Sequence, residues 1–156
     1  MLSIEIPGRG ELALEYLVLD VNGTLTFDGK ILPGVREALA ILREKLHAVA
    51  VTADTRGTAV DMAAELDIEL RIIESGAEAG QKLALVRELG AAHVVAIGNG
   101  ANDAAMLREV AVGICVLGDE GASMDAMHAA DVVTRDILGA LGLLGEPKRL
   151  IATLRR

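Results

Sequence analysis

Short, unbroken apolar runs alternate with longer helix-periodic segments from Tyr16 onward. Tyr16–Asp20, His47–Thr52, Leu70–Ile73, His93–Gly98, Val112–Leu117 and Asp131–Thr134 read as buried strands, each bounded by a turn. Helices are predicted over Pro33–Lys45, Arg56–Leu66, Ala79–Leu89, Asn102–Val110, Ala122–Ala129 and Asp136–Leu154. Parallel neighbours need a crossover, and a helix is the usual one, so this alternation predicts a parallel sheet. The strands are apolar throughout instead of alternating with polar residues, which calls for helices on both faces. The expected fold class is therefore α/β, with a doubly wound parallel sheet.

A chain of 156 residues fits one domain, here taken as 1–156. A core of that size buries roughly 70% of the surface the unfolded chain would expose. It must be aliphatic: apolar residues make up 52% of the sequence, yet Tyr16 and Phe27 are its only aromatics. Two hairpins are expected outside the sheet. One pairs Leu2–Ile6 with Glu11–Glu15 across Pro-Gly-Arg-Gly; the other, Thr26–Leu32, turns at Asp28-Gly29.

Charges or glycines interrupt every apolar run before membrane-spanning length, and Met1–Gly10 lacks the pattern of a secretory signal. A cytoplasmic protein without membrane contact is the expectation. Cys115, the single cysteine, excludes an internal disulfide and reads as a small core residue. A net charge of −8 argues against nucleic-acid binding, which needs a basic surface. A small anionic substrate stays compatible, since a metal ion and one lysine reverse the field locally. His47, His93 and His128 show no metal-binding spacing and read as structural or surface residues.

In such a sheet, ligands bind at the carboxyl ends of the strands. Asp20 ends the first central strand, Thr52 the second, and Asn99 follows the fourth, with Asn102 and Asp103 at the next helix start. Asp20 in Asp20-Val21-Asn22-Gly23-Thr24-Leu25-Thr26 stands where a carboxylate can attack phosphorus or ligate a metal. Gly23 lets the backbone pass close to a phosphate, and Thr24 offers a hydroxyl or an amide. A strand-ending Asp that satisfies turn amides is an equal reading of the segment alone. Asp103 is either a helix cap or a holder of magnesium, which prefers oxygen ligands. Lys82 is either an exposed helix lysine or a counter-charge for phosphate and nucleophile. Thr52 either bonds backbone or a phosphoryl oxygen.

Together, and in this order, these segments resemble the motifs of the haloacid dehalogenase superfamily. The match is nearest to the phosphorylation domain of P-type ATPases, whose Asp-Lys-Thr-Gly-Thr-Leu-Thr is similar to Asp20–Thr26. Thr52-Ala53-Asp54 is similar to that family's Thr-Gly-Asp, and Gly98–Leu107 to its Gly-Asp-Gly-x-Asn-Asp-Ala-x-x-Leu. Ala129–Val133 resembles a segment that follows. The resemblance implies a Rossmannoid fold and an aspartyl-phosphate on Asp20. It also implies phosphate contacts from Gly23, Thr24, Thr52, Ala53, Lys82 and Asn102. Magnesium would be held by Asp20, Asn22, Asn99 and Asp103. No inserted nucleotide-binding domain fits between Thr26 and Thr52, and the usual cap insertion points are short, so a capless member is implied. Capless relatives include sugar-phosphate phosphatases that assemble as tetramers. With the Thr26–Leu32 hairpin free to reach a neighbour, a homo-oligomer is expected.

Two residues depart from the family pattern. Asn22 stands where phosphatases carry the Asp that protonates the leaving group and activates water, and an amide cannot exchange that proton. Asn99 stands where a metal-binding Asp is usual. The leading expectation is a magnesium-dependent phosphohydrolase or phosphotransferase acting on a small phosphorylated substrate or a phosphoprotein. A non-catalytic phosphate- or metal-binding regulatory domain is the alternative. A dinucleotide-binding reading fails at Asp103, which replaces the third glycine of that fingerprint, and no P-loop sequence is present.

Overall fold

The chain enters through an antiparallel hairpin of β1 (Leu2–Ile6) and β2 (Gly10–Leu14). The computed structural model describes residues 1–54 and 57–156. After β3 (Tyr16–Asp20) comes a two-residue-per-strand hairpin of β4 (Thr26–Phe27) and β5 (Lys30–Ile31). Then follow α1 (Val35–Leu42), β6 (His47–Thr52), α2 (Thr58–Leu66), β7 (Glu69–Ile72), α3 (Glu78–Glu88) and β8 (Val94–Gly98). The chain ends with α4 (Ala104–Glu109), β9 (Val112–Val116), α5 (Met124–Ala129), β10 (Val132–Thr134), α6 (Ile137–Gly145) and α7 (Pro147–Leu154).

The central sheet has six parallel strands in the order β10-β9-β8-β3-β6-β7. The chain first builds outward from β3 through β6 to β7. It then returns to the other side of β3 to lay down β8, β9 and β10. That reversal opens a crevice at the carboxyl end of β3, the usual ligand site of an open α/β sheet. Both faces are covered, as the unbroken apolar strands require. Leu17 and Leu19 of β3 pack in one core with Leu39 of α1, Met62 of α2 and Leu141 of α6. Val18, pointing the other way, packs with Leu85 and Val86 of α3 and Met106 of α4. The β1 residues Leu2, Ile4 and Ile6 seal the first core beside Leu150 of α7. Cys115 is fully buried in the second, where burial first and the Asp103 charge next raise its thiol pKa.

The fold class and both hairpins match the sequence reading. The largest boundary difference is at the end: the predicted Asp136–Leu154 helix is two helices that meet at Glu146-Pro147. Proline has no N–H for the helix ladder and pushes its predecessor out of the α region; Glu146 has φ −122 and ψ 78. The predicted Asn102–Val110 helix begins as a 3-10 turn over Ala101–Asp103, and Pro33–Lys45 shortens to α1. Of the predicted Arg56–Leu66 helix, Arg56 lies outside the described residues. Only the small hairpin and α1 separate β3 from β6, and only α3 and a 3-10 turn over Ala91–His93 separate β7 from β8, so neither gap holds a cap domain. Among the described residues, no helix is long and apolar enough to cross a membrane.

Candidate active site

Asp20 is the last residue of β3 and emerges at the carboxyl edge where strand order reverses. The chain turns back at once: the Val21 carbonyl accepts the N–H groups of Thr24 (3.2 Å), Leu25 (2.9 Å) and Thr26 (3.1 Å). This tight loop places Thr24 beneath the carboxylate, and its hydroxyl donates to Asp20 Oδ2 at 3.3 Å. Lys82 reaches in from α3. Its Nζ donates to Asp20 Oδ1 and to Asp103 Oδ1, each at 2.7 Å. Asp103 closes the 3-10 turn after β8, and its Oδ2 accepts the N–H groups of Asn99 (3.0 Å) and Gly100 (2.9 Å). Lys82 is 2% exposed, so the exposed-lysine reading is wrong. Asp103 is both a local cap and the second anchor of Lys82. It is fully buried, and direct contact with a metal would require part of this network to open.

Two carboxylates thus share one ammonium in a nearly dry site. Burial is the main reason that the Asp20 carboxyl is lifted from 3.8 to about 6; Asp103 adds to the lift, and Lys82 partly offsets it. Burial also works against the Lys82 ammonium, yet Asp20 and Asp103 outweigh it and raise its pKa. The lysine keeps its proton, and the surplus negative charge weighs on Asp20. A cation beside Asp20 would relieve it.

Gly98 keeps Asp103 in place by leaving room for it. A Cβ at Gly98 would lie 2.5 Å from both Cγ and Oδ2 of Asp103. Gly98→Ala should therefore lower stability by about 1–3 kcal/mol, the usual range for overpacking, because a fully buried carboxylate has no free space to enter. Urea unfolding checks this, and an unchanged midpoint would mean that the backbone absorbs the methyl group.

Asp20, Asn22, Thr52, Ala53, Lys82, Asn99 and Asn102 line one open cleft of about 1210 Å³. Most sequence candidates therefore converge. Gly23, Thr24 and Asp103 do not line it: Asp103 is fully buried, and Gly23 and Thr24 line a separate, smaller pocket. The Thr52 hydroxyl oxygen accepts the Asp54 N–H at 3.1 Å, which leaves its hydrogen to donate to a ligand. Asn99 is 8% exposed and donates from Nδ2 to the Gly121 carbonyl at 3.1 Å. That bond fixes the amide and, among the described residues, leaves Oδ1 without a hydrogen bond. The cleft is also lined by residues that sequence reasoning missed, including Asp28 and Gly29 of the small hairpin, Thr58, Glu78 and Glu120. None of these carries a spacing signal.

Among the described residues, no three His, Cys, Asp or Glu side chains group as a ready metal cage. Oxygen donors line the cleft around Asp20, from Asn22 and Asn99 among others. That chemistry suits magnesium, which takes few protein ligands and keeps several waters. The surplus negative charge at Asp20 fits a cation as well.

A family model described as haloacid dehalogenase-like hydrolase matches residues 7–111. The chain belongs to that family. Among relatives, this haloacid dehalogenase-like chain is 43% identical over 84 residues to an uncharacterized protein of Methanocaldococcus jannaschii, covering 51% of this chain and 90% of that one. It is 38% identical over 146 residues to a probable copper-transporting ATPase of Arabidopsis thaliana. That match covers 85% of this chain and 14% of the transporter, so the chain spans only a small part of the ATPase. A solved structure of similar fold is the 3-deoxy-D-manno-octulosonate 8-phosphate phosphatase from Moraxella catarrhalis, in complex with magnesium, phosphate and KDO. The TM-score is 0.65 at 22% identity, covering 91% of this chain and 87% of that one. The likeness to P-type ATPases read from the motifs is thus matched by overall similarity, and the haloacid dehalogenase-like fold puts those motifs at one sheet edge.

Proposed function

We propose that this chain is a magnesium-dependent phosphohydrolase or phosphotransferase that works through a phosphoryl group carried on Asp20. One observation carries the reading: Lys82 Nζ bridges Asp20 and Asp103 at 2.7 Å each, at the sheet's switch point and in the wall of an open cleft. Lys82 takes Oδ1 of Asp20, and Oδ2, with its single 3.3 Å contact from Thr24, is the less committed oxygen and the one assigned to attack phosphorus. In the first step a new Asp20 O–P bond forms while the bond from phosphorus to the leaving oxygen breaks. In the second, water attacks phosphorus, frees inorganic phosphate and restores the carboxylate; in a transferase, an acceptor hydroxyl takes the place of water. Lys82 and the Thr52 hydroxyl stabilise charge on the equatorial oxygens. Asn102 and the Ala53 region of the cleft wall position the phosphoryl group. Magnesium held by Asp20, Asn22 and Asn99 would supply further charge neutralisation there. The substrate class is a small phosphoester or a phosphoprotein.

Asn22 and Asn99 favour a second reading, a regulatory domain that binds phosphate or metal without turnover. One experiment separates the two. Acyl, aryl and alkyl phosphates are offered with and without magnesium, phosphate release is followed, and the Asp20 peptide is examined by mass spectrometry. Metal-dependent release with a phosphoryl adduct on Asp20 is expected. Ligand binding with neither release nor adduct would sink the catalytic reading and leave the regulatory one.

A further inference from the structure

We infer that Glu120 is the acidic group of the metal site, doing the work of the carboxylate that Asn99 lacks. This rests on the proposed magnesium site at Asp20. Glu120 lies between β9 and α5, and two contacts tie its loop to Asn99. Asn99 Nδ2 donates to the Gly121 carbonyl at 3.1 Å, and the Asn99 carbonyl accepts the Ser123 N–H at 2.9 Å. At the other end, the Leu117 and Gly118 N–H groups donate to the carbonyls of Thr134 (3.0 Å) and Arg135 (2.9 Å). The loop is thus held at both ends, and Glu120 is delivered to the cleft wall with Asp20, Asn22 and Asn99.

The side chain stops directly over the nucleophile loop. A Cβ built on Gly23 would collide with Glu120 Oε2 and lie 2.7 Å from Asn99 Nδ2. The absent side chain of Gly23 is therefore the space into which the Glu120 carboxylate fits, beside the amide that replaces the family's metal-binding Asp. Among the described residues Glu120 has no hydrogen-bond or ion-pair partner, which leaves its oxygens open to a ligand. Asn99 is 8% exposed, and among the described residues its Oδ1 has no hydrogen-bond partner, which makes it the atom expected to face a bound cation.

Charge supplies the reason for such a substitution. Magnesium at Asp20 and Asn99 would meet one ionised ligand, because Lys82 already neutralises part of the Asp20–Asp103 pair. A carboxylate from the adjoining loop restores the missing negative charge without restoring Asp at position 99. Glu120 acts either as an inner ligand or through a metal-bound water, and in both cases its removal weakens the metal.

The test is magnesium binding alone, read by isothermal titration calorimetry on the intact chain. Glu120→Gln should raise the magnesium Kd about ten-fold or more, the usual penalty for losing a group that supports a metal. Asn99→Asp in the Glu120→Gln background should bring the Kd back towards that of the parent, which a merely structural role for Glu120 would not produce. Glu74→Gln, also on the cleft but away from Gly23, should leave it unchanged. Circular dichroism confirms that each variant is folded. If Asp20→Asn abolishes binding but Glu120→Gln binds like the parent, this inference fails and the magnesium site stands. If the parent protein itself does not bind magnesium, both fall.

Discussion

Asp20→Asn should abolish turnover while leaving the protein folded and, without metal, more stable. The amide cannot form the phosphoryl bond, so the loss appears in kcat, on the order of 10⁴-fold or more, the scale seen when a covalent nucleophile is removed. The stability gain follows from the direction of the Asp20 shift. Its carboxyl is raised from 3.8 to about 6, chiefly by burial, so the folded state holds that proton more tightly than the unfolded chain does. Stability therefore rises as pH falls from about 6 towards 4, and above about 6 the ionised carboxylate costs the fold its full penalty. The neutral amide avoids that penalty. Thermal melting in a chelator should show Asp20→Asn above the parent at pH 8, with the gap closing at pH 4. Activity retained in the variant would point to direct attack by water; a variant less stable at pH 8 would mean that the Lys82 contact outweighs burial.

Asn22→Asp should raise turnover on alkyl phosphates by about 10²–10⁴-fold, the usual worth of general acid–base help. Asn22 is exposed and lines the cleft, so an added carboxylate there has room and solvent. Acyl and aryl phosphates, with good leaving groups, should gain less. The comparison requires chemically intact protein, because asparagine before glycine deamidates readily, and Asn22 precedes Gly23. Asn99 also precedes a glycine, but it is buried and its amide nitrogen is bonded to Gly121, so Asn22 is the more vulnerable of the two. Peptide mass spectrometry on fresh and aged samples establishes the chemical state first. Intact protein that already matches Asn22→Asp on alkyl phosphates would refute the acid–base argument.

Much of this site could be read from the chain because its parts are local. The apolar run ending in Asp20 and the Gly98–Asp103 turn are each set within a few residues, where strand propensity, turn chemistry and capping act. Strand–helix alternation was enough for the doubly wound sheet, since a parallel neighbour needs a crossover. The break at Pro147 was also encoded locally. Continuous apolar periodicity across Ile137–Leu154 masked it, although proline chemistry alone disfavours an unbroken helix there.

Other features depended on partners far along the chain. Lys82 has the sequence context of an ordinary helix lysine, and only the packing of α3 against the sheet buries it beside Asp20, 62 residues away. The Asn99 amide gains its orientation from Gly121, 22 residues on, and that same contact helps to hold Glu120 at the cleft. Propensity and spacing act over a few residues and so fix strands, turns and which residues end them. Burial, shared protons and the charge balance of a cleft are sums over everything that folding brings near, and they exist only once the sheet has closed its order around β3.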